Sequence, residues 1–537
     1  MAKTLLLLVV TLFVLLPTIS SKQPNIIFIL TDDQDVELGG MTPMVSAKKL
    51  IGDKGITFDN MFVTSPLCCP SRSAILTGMY NHNNRAINNS ISGNCSSPQW
   101  QQTAEKETFA AHLKKQGYNT FFAGKYLNQY GYKPSGGVEH VPPGWDDWNG
   151  LVGNSVYYNY SLSVNGKEEK HGDKYPDDYL TDVISKKAER FLENEHETFG
   201  SPFFMMLSTP ACHAPFTPAP QHRDKFANVT APRDGSFNKY DANRHWLVRN
   251  AKHPMGNESM KLIDPVFRNR WRTLLSVDDL ITKLFTTLET KGFLEDTYVF
   301  YAADNGYHLG QLSLPYDKRQ LYEFDIRVPL MVRGPGIKAG QKRKEIILNI
   351  DLAPTFIDIA GKIPPSSMDG STFKSVLLDK STNVSSTWRT DFMVEHTGET
   401  QDNVKECPSK SHKGVAQCFP DCVCEDSYNN TYSCVRSITD KGNSMYCEFS
   451  DSENFVELYD LSKDPHQLKN IAKSVDPKIL VGMNKRLVEL TICEGPTCKP
   501  GVKPFPPQFP PQPRSLLHSN IYSEEIFMEQ NGKVQVL

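Results

Sequence analysis

Three short runs of the chain are apolar at every position: Ile26–Leu30 (IIFIL), Phe203–Leu207 (FFMML) and Tyr298–Ala302 (YVFYA). A strand with one wet face alternates apolar and polar residues. An unbroken run of this length predicts a strand covered on both faces, as in a parallel sheet. Between the runs the spacing changes. Thr108–Gln116 and Asp278–Lys291 repeat apolar residues at helical intervals. Strands alternating with helices predict an α/β fold, a mostly parallel sheet flanked by helices. In such sheets ligands bind beyond the carboxyl ends of the strands.

Past residue 385 the pattern breaks. Polar, cysteine-rich sequence runs to Cys447, followed by a strand-like Phe455–Leu461 (FVELYDL) and a helix-like Pro477–Leu490. This predicts a catalytic α/β domain over 21–385 and a smaller α+β domain over 386–537, ending in a proline-rich, extended Pro500–Pro513. Eight of the twelve cysteines lie between Cys407 and Cys498. In an oxidising compartment that clustering implies a disulfide-stapled region. The alternative is a zinc site around Cys422-Val-Cys424, although the spacing fits no common zinc module.

The first residues point to such a compartment. Lys3 precedes the apolar run Leu5–Leu16, and Thr18 and Ser20 supply small residues for cleavage, so 1–20 reads as a signal peptide. The run is shorter than the roughly 20 residues of a membrane span. Sequons stand at Asn88, Asn94, Asn159, Asn228, Asn257, Asn383 and Asn429. The 537-residue length allows several domains or one large α/β enzyme with an appendage. A net charge of −3 argues against a nucleic-acid binder, so any polyanionic partner must be held by local lysines and arginines.

The ends of the apolar runs carry the candidate chemistry. IIFIL runs into Thr31, Asp32 and Asp33. YVFYA leads to Asp304, Asn305 and Gly306, and FFMML leads to His213. In a parallel sheet these ends lie side by side. Three carboxylates and an amide oxygen would then repel unless a hard cation such as calcium joined them. Each pair taken alone is also common in turns and helix caps.

Cys68-Cys69-Pro70-Ser71-Arg72, continuing to Leu76-Thr77-Gly78, resembles the recognition motif of the sulfatase family. A second family signature is matched by Gly117-Tyr118-Asn119-Thr120 and Ala123-Gly124-Lys125-Tyr126. The resemblance spans nearly the whole mature chain and implies an alkaline-phosphatase-like fold. It implies that Cys68, not Cys69, is oxidised to formylglycine by a formylglycine-generating enzyme. It further implies one calcium ion per chain on Asp32, Asp33, Asp304, Asn305 and position 68. By the same resemblance Arg72 orients the aldehyde hydrate, Lys125 and Lys318 grip sulfate oxygens, and His213 stands at the leaving oxygen. The alternative for Lys318 is a solvated surface lysine. With Cys68 modified, eleven cysteines remain, so at least one more stays free or pairs outside the chain.

One position departs from the family. Many members carry a histidine two residues after the lysine matched by Lys125, where this chain has Leu127 and then Asn128. His308 is the expected replacement base, and Asn128 an expected contact to sulfate or substrate; a structural His308 stays open. Cys68–Asn84, Asn94–Trp100, Gly124–Tyr130 and Cys418–Cys434 resemble the branch that acts on 6-sulfated glucosamine. The expected substrate is the 6-O-sulfate of N-acetylglucosamine in heparan or keratan sulfate, handled in the lysosome or, alternatively, after secretion. The oligomeric state stays open, with a homodimer allowed. The rivals are a two-metal phosphatase on the same fold, a non-catalytic glycosaminoglycan-binding protein and an endo-acting extracellular sulfatase.

Overall fold

Ile26–Leu30 lies in the middle of the main sheet, where both of its faces are covered. The computed structural model describes residues 23–198, 200–233, 235–379, 381, 387–399, 421, 423 and 425–501. Among them, ten strands form that sheet: β1 (Asn25–Thr31), β2 (Ile56–Phe58), β3 (Asn119–Lys125), β4 (Asp147–Leu151), β5 (Tyr160–Val164), β6 (Lys167–His171), β7 (Phe203–Ser208), β8 (Thr297–Ala303), β9 (Leu330–Arg333) and β10 (Gln341–Arg343). Their order is β10-β2-β9-β8-β1-β7-β3-β4-β5-β6. The central strands β8, β1, β7, β3 and β4 are mutually parallel. The flanking β9, β5 and β6 run antiparallel to their neighbours.

Side chains of β1 divide between two cores. Ile26, Phe28 and Leu30 face helices α1 (Cys68–Thr77), α2 (Phe109–Lys114) and, later in the chain, Leu352–Ile359. Ile27 and Ile29 face α3 (Leu180–Thr198) and α4 (Asn257–Thr290). This two-sided burial is why the run shows no alternation. The helix expected over Asp278–Lys291 is the end of the 34-residue α4, whose earlier turns contain Pro265. Proline costs a helical hydrogen bond, which masks the pattern upstream.

The C-terminal domain is a four-stranded antiparallel sheet, β11 (Asp391–His396), β12 (Tyr432–Thr439), β13 (Gly442–Phe449) and β14 (Val456–Asp460), in that order. Helix α5 (Pro477–Thr491) packs against it, tied by Arg486 to Asp391 at 2.8 Å. The domain shares a core with the main sheet: the Phe62 and Phe392 rings lie 4.9 Å apart. Disulfides join Cys69 to Cys95, Cys434 to Cys447 and Cys493 to Cys498, and Cys212 is a buried free thiol. The leader, most of the proline-rich tail, Asn383 and Cys407, Cys418, Cys422 and Cys424 fall outside the described residues, and the zinc alternative with them.

Asn159, Asn228 and Asn257 are exposed sequons. Asn88 and Asn429 are buried, and the amide nitrogen of Asn94 has no hydrogen-bond partner and is shut from solvent. No helix among the described residues is long and apolar enough to cross a membrane.

Candidate active site

Register brings the acids together. Thr31 of β1 stands level with Ala303 of β8, so the residues that follow each strand are neighbours. The Asp33 backbone N–H donates to Asp304 Oδ1 at 3.0 Å, and Asn305 Nδ2 donates to Asp33 Oδ1 at 2.8 Å. Asp33 takes φ +61°, a left-handed conformation that aspartate tolerates better than most residues.

Cys68 opens α1, all ten residues of which are buried, and so places the positive end of the helix at the acids. Ligand atoms of Asp32, Asp33, Cys68 and His213 lie within 4.8 Å of one another. Cys69 is committed to its disulfide with Cys95, which leaves Cys68 as the free cysteine of the pair.

Three cations surround the acids. Lys125, the last residue of β3, donates to Asp32 Oδ2 at 2.7 Å, and Lys318 donates to Asp33 Oδ2 at 2.9 Å. Arg72, one turn into α1, donates to Asp304 Oδ2 at 2.8 Å, to the Lys125 carbonyl at 2.9 Å and to Ser208 Oγ at 2.7 Å. That last arrangement needs β3 and β7 very close. Gly124 provides it: a β-carbon there would stand 1.8 Å from the Ser208 carbonyl oxygen, and its φ is +112°.

His213 Nδ1 lies 2.6 Å from the Ala214 carbonyl, so this nitrogen carries the proton and Nε2 is turned to the acids, 3.9 Å from Asp33 Oδ2. Cys68 is fully buried while His213 is 9% exposed, so His213 marks the open side of the cluster.

Electrostatics separates the acids. Burial works to raise Asp32, but Lys125, His213, Arg72 and Lys318 hold it well below the usual carboxylate range. Asp33 is lowered too, against burial, chiefly by Lys318. Asp304 is pushed up to about 7 by burial, with the charge of Asp32 adding. Burial pushes the Cys68 thiol up to about 12, so the unmodified side chain is not an activated thiolate. The donor set fits a hard cation. Three buried carboxylates converge, and Asn305 Oδ1 is buried with no hydrogen-bond donor.

Asn128 is buried beside this group. Its Nδ2 donates to Asn154 Oδ1 at 3.3 Å and its own Oδ1 has no partner. Sequence reasoning missed Ser155, whose hydroxyl donates to Asp32 Oδ2, and Ser208, the partner of Arg72. No motif marks either residue.

His308 is a correction. Its Nδ1 meets Asp325 at 3.1 Å and its Nε2 meets Glu425 at 3.1 Å, both fully inside the protein. Although burial opposes it, these two carboxylates raise its pKa to about 10. An imidazolium with both N–H groups engaged has no lone pair to accept a proton, so it is not the eliminating base.

Comparisons agree with this geometry. The sulfatase family model matches residues 24–362, and a model described as N-sulphoglucosamine sulphohydrolase, C-terminal, matches 313–415. The chain is 55% identical over 505 residues to an N-acetylglucosamine-6-sulfatase of Capra hircus, covering 93% of this chain and 89% of the other. The Homo sapiens protein of that name is 54% identical, covering 93% and 90%. A solved structure in complex with its substrate D-glucosamine-2-N,6-O-disulfate superposes with a TM-score of 0.69 at 26% identity, covering 88% of this chain and 97% of that one. The acids after β1 and β8, the free Cys68 at the head of α1 and the match over most of its length converge on one assignment: the chain belongs to the sulfatase family.

Proposed function

We propose that the protein hydrolyses the 6-O-sulfate of N-acetylglucosamine residues at the ends of heparan or keratan sulfate chains, within glycosaminoglycan degradation in the lysosome. The observation that carries this is the cluster of Cys68, Asp32, Asp33, Lys125 and Lys318, in a chain over half identical to N-acetylglucosamine-6-sulfatases. A fully buried Cys68 supports end-on entry of a sulfate at a chain terminus over lateral binding of a polymer.

Asp32, Asp33, Asp304 and Asn305 Oδ1 would hold a calcium ion beside position 68, which when bound supplies positive charge for sulfate oxygens and acidifies a neighbouring hydroxyl. Formylglycine, generated from Cys68 by the maturation enzyme, supplies as its hydrate the hydroxyl for attack on sulfur. Lys125 and Lys318, now resting on Asp32 and Asp33, turn to the sulfate oxygens as charge develops on them. Arg72 keeps Asp304 and the end of β3 in place through its three contacts. His213, whose Nδ1–H is held by the Ala214 carbonyl, acts as the imidazolium, protonated on Nε2 as well at acid pH, and hands that Nε2 proton to the departing sugar oxygen, worth about 10²–10⁴-fold in rate. Asn128, with its unpaired Oδ1, contacts substrate.

The test is a panel of 6-O-, 4-O-, 2-O- and N-sulfated saccharides at acid pH. Release from terminal 6-sulfated N-acetylglucosamine alone is expected. Equal release from internal residues of intact heparin would favour the endo-acting rival, and preference for phosphate esters the phosphatase.

A further inference from the structure

Lys318 has no strand or long helix of its own. It lies between β8 and β9, in a stretch whose regular structure is a single helical turn, Glu323–Ile326. Its ammonium is nevertheless held 2.9 Å from Asp33 in a fully buried setting. Something outside the stretch must supply that rigidity.

The neighbours of Lys318 are gripped from the C-terminal domain. Arg319 takes φ +92°, a conformation that a non-glycine residue keeps when its surroundings over-determine it. Its carbonyl accepts from Tyr432 Oη at 2.9 Å and Asn430 Nδ2 at 3.2 Å. Its guanidinium pairs with Asp317 and with Glu399, the latter at 2.6 Å. Gln320 Nε2 donates to Glu425 Oε2 at 2.8 Å, while Glu425 Oε1 takes His308 Nε2. His308 in turn pairs through its backbone with Asp317, at 2.9 Å from its N–H to that carbonyl. Residues 317, 319 and 320 are therefore all tied, directly or through His308, to Glu399, Glu425, Asn430 or Tyr432. Asn430 Nδ2 also donates to the Glu425 carbonyl at 2.8 Å, so the gripping residues brace one another.

We propose that Glu425, Asn430 and Tyr432 are positioning residues for Lys318. They fix the strained Arg319 and the Gln320 side chain, and so aim the ammonium of the preceding Lys318 at the sulfate site. The C-terminal domain thereby acts in the reaction without touching substrate. The inference rests on the sulfate-gripping role of Lys318, and its test separates the two.

The experiment is a cycle of Tyr432→Phe, Lys318→Ala and the double variant, on the full-length matured protein. Three quantities are read: kcat/KM on 6-sulfated N-acetylglucosamine, inorganic sulfate affinity by thermal shift, and the unfolding midpoint. Tyr432→Phe removes one hydrogen bond and no volume. It is expected to lower kcat/KM and sulfate affinity on the order of three- to tenfold. In the Lys318→Ala background the same change is expected to have no further effect, because the residues act in series. Glu425→Gln, which turns an amide donor toward the Gln320 amide, should follow the same pattern with a larger loss. If Tyr432→Phe lowers the midpoint below the assay temperature, Asn430→Ala takes its place in the cycle. Unchanged kcat/KM and sulfate affinity in folded Tyr432→Phe would overturn the inference. So would an equal loss with and without Lys318. If Lys318→Ala alone keeps wild-type activity, the sulfate-gripping role fails and the inference falls with it.

Discussion

His308→Ala distinguishes a structural imidazolium from a catalytic base. The ring is sealed between Asp325 and Glu425. A pKa of about 10, against an ordinary value of ~6.5, corresponds to about 5 kcal/mol favouring the charged ring. The partner points the other way: Asp325 is pushed up to about 7 by burial, with Glu425 adding, which offsets about 4 kcal/mol at neutral pH. One positive charge serves two buried carboxylates, so the direction to rely on is that of His308, whose two nitrogens are both engaged. Removing the one cation leaves two buried anions. Breaking such a group costs about 3–5 kcal/mol.

The sign with pH follows. His308 and Asp325 both bind protons more tightly folded than unfolded, so their contribution is present at low pH and lost as pH rises toward about 10. In His308→Ala the Asp325 carboxyl, which burial already pushes up to about 7, can take up a proton at pH 5 but not at pH 8. Urea unfolding should show a loss of about 3–5 kcal/mol at pH 8 and about 1–3 kcal/mol at pH 5. Equal losses at the two pH values, or a loss below about 1 kcal/mol at both, would refute this account. Turnover abolished with unfolding unchanged would restore His308 to proton transfer.

Metal analysis after long dialysis should find one hard divalent cation per chain, and Asn305→Ala should lower its retention; two zinc ions would favour the phosphatase alternative. Cys68→Ser keeps one hydroxyl but lacks the second on the same carbon, so sulfate cannot be expelled to regenerate an aldehyde. Mass spectrometry should find a sulfate adduct on the peptide containing residue 68 after at most one turnover, and near wild-type turnover would count against the hydrate mechanism. Gly124→Ala should destabilise the protein by about 3 kcal/mol or more, because its β-carbon would overlap the Ser208 carbonyl and force β3 from β7. A melting temperature within a degree of wild type would show that the strands can part without cost.

The parts of the fold and site that were legible in the sequence are those fixed by local rules. A strand buried on both faces has no polar alternation, which is why Ile26–Leu30, Phe203–Leu207 and Tyr298–Ala302 announced β1, β7 and β8. Strand β3 was harder, because Gly124 interrupts its apolar run; the residue that weakens the pattern is the one that permits the contact between Arg72 and the end of the strand. The acids converge because two parallel strands end in register, so Asp32, Asp33, Asp304 and Asn305 could be paired from topology alone. Ser155 could not, since it reaches Asp32 from the loop between β4 and β5 and nothing in its neighbours records that approach. His308 was misjudged for a related reason. Three residues from Asn305 it is near the site in sequence, but what decides its chemistry is Glu425, 117 residues away on another domain. A base and a locked imidazolium look identical in sequence and differ in whether a distant carboxylate occupies the second nitrogen. The same distance explains Lys318, whose loop carries no pattern of its own. The residues that hold it, Glu399, Glu425, Asn430 and Tyr432, belong to the segment that the sequence marks as a disulfide-stapled appendage. Its role at the site becomes visible once the carbonyl of Arg319 is seen to rest on Tyr432 and Asn430.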